Sequence, residues 1–200
     1  AFSISCWDCS DNEIYNNYIH PFNGRGIIID NAARRNKIYN NTIIVKESNR
    51  TQIEGYPLSQ AYALRIRTWA ANNNFDNEVH NNNLTAYAGF PGMENDGTGL
   101  ILTFVDGAQP NGYNPNYIYN NTITAISFNT NYIASAVGIE GPDNDTPPIG
   151  IFFSGNTLAG NSHLISVGTI AGNDRAGHDY EFINTLFRKE GMDLPSFSAV

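Results

Sequence analysis

The sequence predicts an all-β fold: a single-stranded parallel β-helix, a solenoid of about six stacked coils. Three observations predict it. A six-residue phrase, Ile-Tyr-Asn-Asn-x-Ile, recurs along the chain. Each copy is followed, after a variable insert, by a second short apolar strand of period two. No window of helical length carries a 3.6-residue apolar stripe. One coil cannot bury its apolar face alone, so stacked coils share one continuous core.

The elements follow in order. Phe2-Ser3-Ile4-Ser5 reads as a strand in mid-repeat, so the chain is expected to be a fragment of a longer one. The phrase appears as Ile14-Tyr15-Asn16-Asn17-Tyr18-Ile19, then as Ile38-Tyr39-Asn40-Asn41-Thr42-Ile43. It returns as Val79-His80-Asn81-Asn82-Asn83-Leu84 and as Ile118-Tyr119-Asn120-Asn121-Thr122-Ile123. A degraded copy is Phe153-Ser154-Gly155-Asn156-Thr157-Leu158, and a sixth ends in Asn184-Thr185-Leu186. The second strands are Gly26–Asp30, Ala63–Arg67, Gly99–Thr103, Val137–Glu140 and Leu164–Val167. Period-two alternation turns Ile27 and Ile29, Leu64 and Ile66, and Leu100 and Leu102 inward. Phe182 to Glu190 reads as a last coil. The repeat covers nearly all 200 residues, which gives one β-helix domain over 1–200.

The second Asn of each phrase (Asn17, Asn41, Asn82, Asn121, Asn156 and Asn184) is expected to stack as a ladder. Its amide both donates and accepts, and so satisfies turn backbone that the sheet does not reach. Middle coils are longer than a bare coil, with inserts at about Lys46–Tyr62, Ala86–Thr98, Gly107–Asn116 and Gly141–Pro148. Inserts on a solenoid gather on one face and build its binding site.

Charge narrows the function. Nineteen acidic against eleven basic residues give −8, which argues against a nucleic-acid backbone as partner. Charged residues are only 15 % of the chain while Asn is about one in seven, a composition common among secreted and surface β proteins. No stretch approaches the length of an apolar membrane helix. Cys6 and Cys9 form the only Cys-x-x-Cys pair. It lacks the βαβ context of a redox centre and the two further ligands of a zinc site, leaving semi-buried thiols or a local disulfide.

The pairing of I-x-N-N-x-I with a later G-I-x-I resembles the right-handed parallel β-helix repeat of the pectate-lyase-like superfamily, over about residues 2 to 187. That resemblance implies a secreted or cell-surface protein that binds or processes polysaccharide as a lyase or hydrolase. The rival is a non-catalytic adhesin, tailspike-like shaft or filament subunit. Besides polysaccharide, the partner it admits is a second copy, by coil stacking or lateral contact. A third idea, ice binding, rests on Thr42, Thr122, Thr157 and Thr185 sharing one slot.

Candidate site residues follow from the coil register. Asp30, Arg67, Thr103 and Glu140 form one outward column at about 4.8 Å per coil. Asp30 and Glu140 are then about 14 Å apart, beyond the roughly 5 to 9.5 Å of glycosidase carboxylate pairs. Asp106 and Asp143 fall on adjacent coils at about 5 Å, which suits a retaining acid and nucleophile. They equally suit Ca²⁺ with Asp145 or Asp96, or the capping of turn backbone. Apart from Ca²⁺ no cofactor is expected. Lyases of the superfamily use Arg or Lys as the base, a role open to Arg67; the alternative is a surface ion pair between Arg67 and Asp30. Trp69 is a sugar platform or turn packing. Tyr15, Tyr39, His80 and Tyr119 form an outward aromatic column, either stacked for stability or presented to sugar or a neighbouring subunit. Substrate binding is thus assigned to Trp69, Tyr15, Tyr39, Tyr119 and Glu140. The histidines show no metal spacing.

Overall fold

The computed structural model describes residues 3–21, 24–30, 33–46, 61–68, 76–89, 96–104, 116–141, 151–169 and 182–189. Among these, eighteen strands fall into successive triplets. The first is β1 (Ile4–Trp7), β2 (Glu13–Tyr15) and β3 (Tyr18–Ile19); the second is β4 (Arg25–Asp30), β5 (Lys37–Tyr39) and β6 (Thr42–Val45). Next come β7 (Ala61–Thr68), β8 (Glu78–His80) and β9 (Asn83–Ala88), then β10 (Gly97–Phe104), β11 (Asn116–Tyr119) and β12 (Thr122–Ser127). The last two are β13 (Ala134–Gly141), β14 (Ile151–Ser154) and β15 (Thr157–Gly160), and β16 (His163–Thr169), β17 (Phe182–Ile183) and β18 (Leu186–Lys189). Each triplet gives one strand to each of three six-stranded sheets, and every pairing is parallel. Sheet 1 begins with β1, sheet 2 with β2 and sheet 3 with β3. This is an all-β parallel solenoid.

The inward residues of all three sheets close the core. Ile27, Leu64, Ile38, Val79, Ile43 and Leu84 are fully buried. The alternation slips once in sheet 1: Ala63 and Leu64 both enter the core, as do Ala136 and Val137. Gly26 and Gly99 occupy the same bend in their coils. A Cβ at Gly26 would lie 2.2 Å from the Ala63 carbonyl oxygen, so the backbones approach too closely for a side chain there.

The corner between sheets 2 and 3 is always two residues long. Its first residue takes a left-handed conformation in every coil: Asn16, Asn40, Asn81, Asn120, Gly155 and Asn184, with φ between 48° and 62°. Asparagine tolerates that region and glycine takes it freely. The second residue makes the ladder. Asn17, Asn41, Asn82 and Asn121 each donate from Nδ2 to the Oδ1 of the next coil's Asn at 3.0 Å. The Nδ2 atoms of Asn41, Asn82, Asn121 and Asn156 also donate to the carbonyls of Ile14, Ile38, Val79 and Ile118.

Two expectations about the last coil are corrected. Thr157 pairs with Leu186, so Thr185 holds the ladder position and Asn184 the left-handed one. Asn184 is therefore not a rung. Thr185 likewise leaves the proposed threonine slot, whose occupants are Tyr18, Thr42, Asn83, Thr122, Thr157 and Leu186. That row is too irregular to carry the ice-binding idea.

A second ladder escaped the sequence reading. Asn12, Asn36, Asn77 and Asn116 stand at the entrance to sheet 2, with Nδ2 to Oδ1 distances of 3.1, 3.0 and 2.9 Å. The phrase is really Asn-x-Ile-Tyr-Asn-Asn-x-Ile, with asparagines five residues apart bracketing the first four sheet 2 strands; in β14 the position of Asn116 is taken by Ile151. Cys6 and Cys9 are joined as a disulfide before the first of these rungs.

Candidate functional site

The long connections do not fall evenly around the solenoid. Residues 46–60 and 89–96 enter sheet 1, and residues 69–77, 105–115, 142–150 and 170–181 leave it. Sheet 1 is thus the sheet flanked by inserts on both sides. The strands of all three sheets reach further into the connections than the repeat alone implies. Tyr62 lies in β7, Tyr87 and Ala88 in β9, and Asn116 in β11, all inside the stretches read as insert.

Three outward columns cross the middle of sheet 1. In the first, Arg25 pairs with Tyr62; in the second, Ile28 pairs with Arg65; in the third, Asp30 pairs with Arg67, then Arg67 with Thr103 and Thr103 with Glu140. The third column has the predicted order. Its outward face is not a wet surface, however. Ile28, Asp30, Tyr62 and Ile101 are each no more than 3 % exposed.

Asp30 and Arg67 do form an ion pair, with Arg67 Nε 3.0 and 3.1 Å from the two carboxylate oxygens and Nη2 completing the fork on Oδ2. Their side chains are only 2 % and 19 % exposed, so the expected surface pair is a largely buried one. Burial raises the stakes of the pairing, because removing one partner strands a charge in low dielectric. The fork also occupies the guanidinium that a base role for Arg67 needs unencumbered.

Tyr62 gathers the cations. The Arg65 guanidinium sits 5.6 Å from the centre of its ring. Burial raises the Tyr62 phenol above its usual range, while the positive charges of Arg25, Arg65 and Arg67 pull the other way. Three arginines around one buried tyrosine, offset by Asp30, make a locally positive patch on a chain of net charge −8. With Leu64 and Ile66 turned inward, alternation turns Arg65 and Arg67 outward, but it leaves Arg25 and Tyr62 unmarked. The signal was present: the register that aligns Ile27 with Leu64 also aligns Arg25 with Tyr62.

The aromatic column on sheet 2 stands as expected. The rings of Tyr15, Tyr39, His80 and Tyr119 stack with centroids 5.0, 5.2 and 4.8 Å apart and planes within 6° of parallel. Tyr39 and Tyr119 donate their hydroxyls to Glu13 and Glu78 at 2.9 and 3.3 Å. Desolvation and the neighbouring carboxylates raise both phenols. Inner rings spend both faces on each other, leaving edges and hydroxyls outward. A sugar cannot lie flat on Tyr39, His80 or the inner faces of Tyr15 and Tyr119.

Asp106, Asp143, Asp145 and Trp69 lie outside the described residues, and of Glu140 the structure gives the strand position in β13, between Thr103 and Gly168. Asp96 accepts the Ile133 N–H at 2.6 Å, the backbone-capping role open to a turn carboxylate. Among the described residues no three His, Cys, Asp or Glu side chains come together as a metal site. Nor do the described residues include a helix long and apolar enough to cross a membrane. Searches of family models, curated proteins and solved structures find no match to this chain.

Proposed function

We propose that this β-helix is a secreted or cell-surface member of the pectate-lyase-like superfamily that binds acidic polysaccharide through the half-buried arginines on the outer side of sheet 1. The observation that carries the reading is the convergence of Arg25, Arg65 and Arg67 on Tyr62, on the one sheet bordered by long connections at both edges. Guanidinium groups recognise carboxylates through paired, charge-assisted hydrogen bonds, and a positive patch on an acidic chain selects its ligand by field as well as contact. A right hand for the solenoid accords with the general rule for parallel crossovers. If the site is also catalytic, Asp106 and Asp143 are its acid and nucleophile or its Ca²⁺ ligands, and Arg67 must leave Asp30 to serve as base. Glu140 extends the same column toward the later coils.

Calorimetric titration with a de-esterified polyuronate and with a neutral glucan tests the proposal. Binding is expected for the polyuronate, weakening as salt rises and falling at least tenfold in Arg65→Ala at unchanged thermal stability. Equal binding of both polymers, or none of either, sinks it. Absorbance at 235 nm and new reducing ends then separate a lyase or hydrolase from a binder.

A further inference from the structure

The outer side of sheet 1 changes character along the solenoid. From β4 onward its first column runs Arg25, Tyr62, Thr98, Ser135 and His163, and its second runs Ile28, Arg65, Ile101, Gly138 and Ser166. The third runs from Asp30 and Arg67 to Thr103, Glu140 and Gly168. All three arginines of these columns therefore lie on β4 and β7. From β10 onward the columns hold no Lys or Arg, and Glu140 stands among them. A polymer with a carboxylate on every residue meets guanidinium groups at β4 and β7 only. A further carboxylate placed over β10 or β13 loses hydration with no cation of these columns to offset the cost.

The later strands offer hydroxyls and space instead. Thr98 and Ser135 are neighbours in the first column, and each is only 4 % exposed. Among the described residues neither side-chain hydroxyl makes a hydrogen bond. Buried hydroxyls without partners cost free energy, so two side by side point to a polar partner from outside the chain.

Gly138 lies beside them, and nothing in the backbone requires a glycine there. It is not left-handed, unlike Gly24, Gly89 and Gly155. A Cβ on it would meet side-chain atoms only: Thr98 Cγ2 at 3.2 Å, then Ile101 Cγ1 and Thr98 Oγ1 at 3.9 Å. Gly26, Gly97, Gly99 and Gly160 differ, because a Cβ on any of them would lie between 2.2 and 2.8 Å from a carbonyl oxygen. Glycine is disfavoured in strands, and one that no close strand approach explains marks a place where a ligand comes near.

We infer that Gly138 is the floor of a neutral-sugar subsite, with Thr98 and Ser135 as its hydrogen-bonding groups. The inference rests on sheet 1 being the polysaccharide face, and it narrows the ligand to a polymer that mixes uronate and neutral sugar units. The uronate lies at Arg65 and the neutral unit at Gly138. Those two positions share one column and stand two coils apart, about 10 Å, so one short oligosaccharide reaches both. A neutral sugar supplies donors and acceptors to the two hydroxyls and sets no charge beside Glu140.

Calorimetric titration of the whole chain with two oligosaccharides of equal length tests this: a homo-oligouronate and an alternating uronate–hexose oligomer. Wild type is expected to bind the alternating oligomer at least tenfold more tightly. Gly138→Val fills the floor with a side chain that strands favour. It is expected to abolish that preference with wild-type circular dichroism, leaving the homo-oligouronate affinity within about twofold. Thr98→Val combined with Ser135→Ala adds no bulk and is expected to cut the preference at least threefold. Arg65→Ala is expected to weaken both ligands alike. Equal wild-type affinities, or a preference for the homo-oligouronate, overturn the inference and leave the sheet 1 reading standing. A preference that persists in the folded variants also overturns it, and shows that the two hydroxyls hold water only. Binding of neither oligosaccharide overturns both readings.

Discussion

Asn82 donates from Nδ2 to Asn121 Oδ1 at 3.0 Å and to the Ile38 carbonyl at 2.8 Å, while its own Oδ1 accepts both the Asn41 amide and the Asn41 backbone N–H. Two donors and two acceptors are all used in a side chain 2 % exposed. Replacing it therefore strands several buried groups at once, each costing about 1 to 3 kcal/mol. Asn82→Ala is expected to lose at least about 3 kcal/mol, against under about 1 kcal/mol for Asn17→Ala, which sits exposed at the end of the ladder. Urea denaturation of the two variants decides it. Equal losses would mean that the ladder's interior rungs are no more valuable than its end.

That ladder was legible because its asparagine is tied to a fixed two-residue corner. The ladder through Asn12, Asn36, Asn77 and Asn116 was equally legible from its constant five-residue offset to the first, but those asparagines close a connection of variable length and so read as loop rather than repeat. Asn184 was misplaced for a related reason: where other coils write Asn-Asn, the last two write Gly155-Asn156 and Asn184-Thr185, and only the backbone angle shows which position an asparagine holds. Alternation gave the side of the sheet for Asp30 and Arg67 and the identity of their pairing. It carries no information about what lies above that side, so burial was missed. Asp106 and Asp143 belong to segments outside the repeat, where no coil register constrains them.

The buried Asp30–Arg67 fork predicts a non-additive pair. Asp30→Ala leaves the Arg67 charge in a largely buried site and is expected to cost about 3 to 5 kcal/mol, as is Arg67→Ala. The double variant Asp30→Leu with Arg67→Met removes both charges and is expected to recover most of that loss. Denaturant midpoints of the three proteins form the cycle. Additive single losses would show that the two side chains act independently.

His80 predicts a pH dependence with a definite sign. Desolvation in the stack lowers its folded pKa below the ordinary 6.5, and Lys37 acts the same way while Glu78 opposes. The folded state then binds the proton less readily than the unfolded state. The stability this group supports is fully present above pH 6.5 and is lost as pH falls through the folded value. Tyrosine fills the same slot in Tyr15, Tyr39 and Tyr119, so His80→Tyr keeps the stack and removes the titration. The melting temperature of His80→Tyr relative to wild type is expected to rise between pH 8 and pH 5. A constant difference across that range would place the titration elsewhere.

Two glycines separate conformational need from close approach. Gly155 takes φ +62° at the corner where other coils have asparagine, and a Cβ there would meet only the end of the Asn120 side chain, at 2.5 Å. Asn120 can turn aside, since its Oδ1 is the tip of a short polar side chain at an exposed corner. Gly155→Asn then gains from a less flexible unfolded chain, by about 0.4 to 1 kcal/mol. Gly99 is the opposite case. A Cβ there would lie 2.4 Å from Ile123 Cγ2 and 2.8 Å from the Ala136 carbonyl oxygen, inside the packed core. Neither the buried isoleucine nor the strand backbone can yield without disturbing its own contacts, so Gly99→Ala is expected to cost about 1 to 3 kcal/mol by overpacking. Thermal melts of the two variants should therefore move in opposite directions. A destabilised Gly155→Asn would mean that the corner needs the freedom of glycine itself, and that Asn120 holds its side chain more firmly than its exposure suggests.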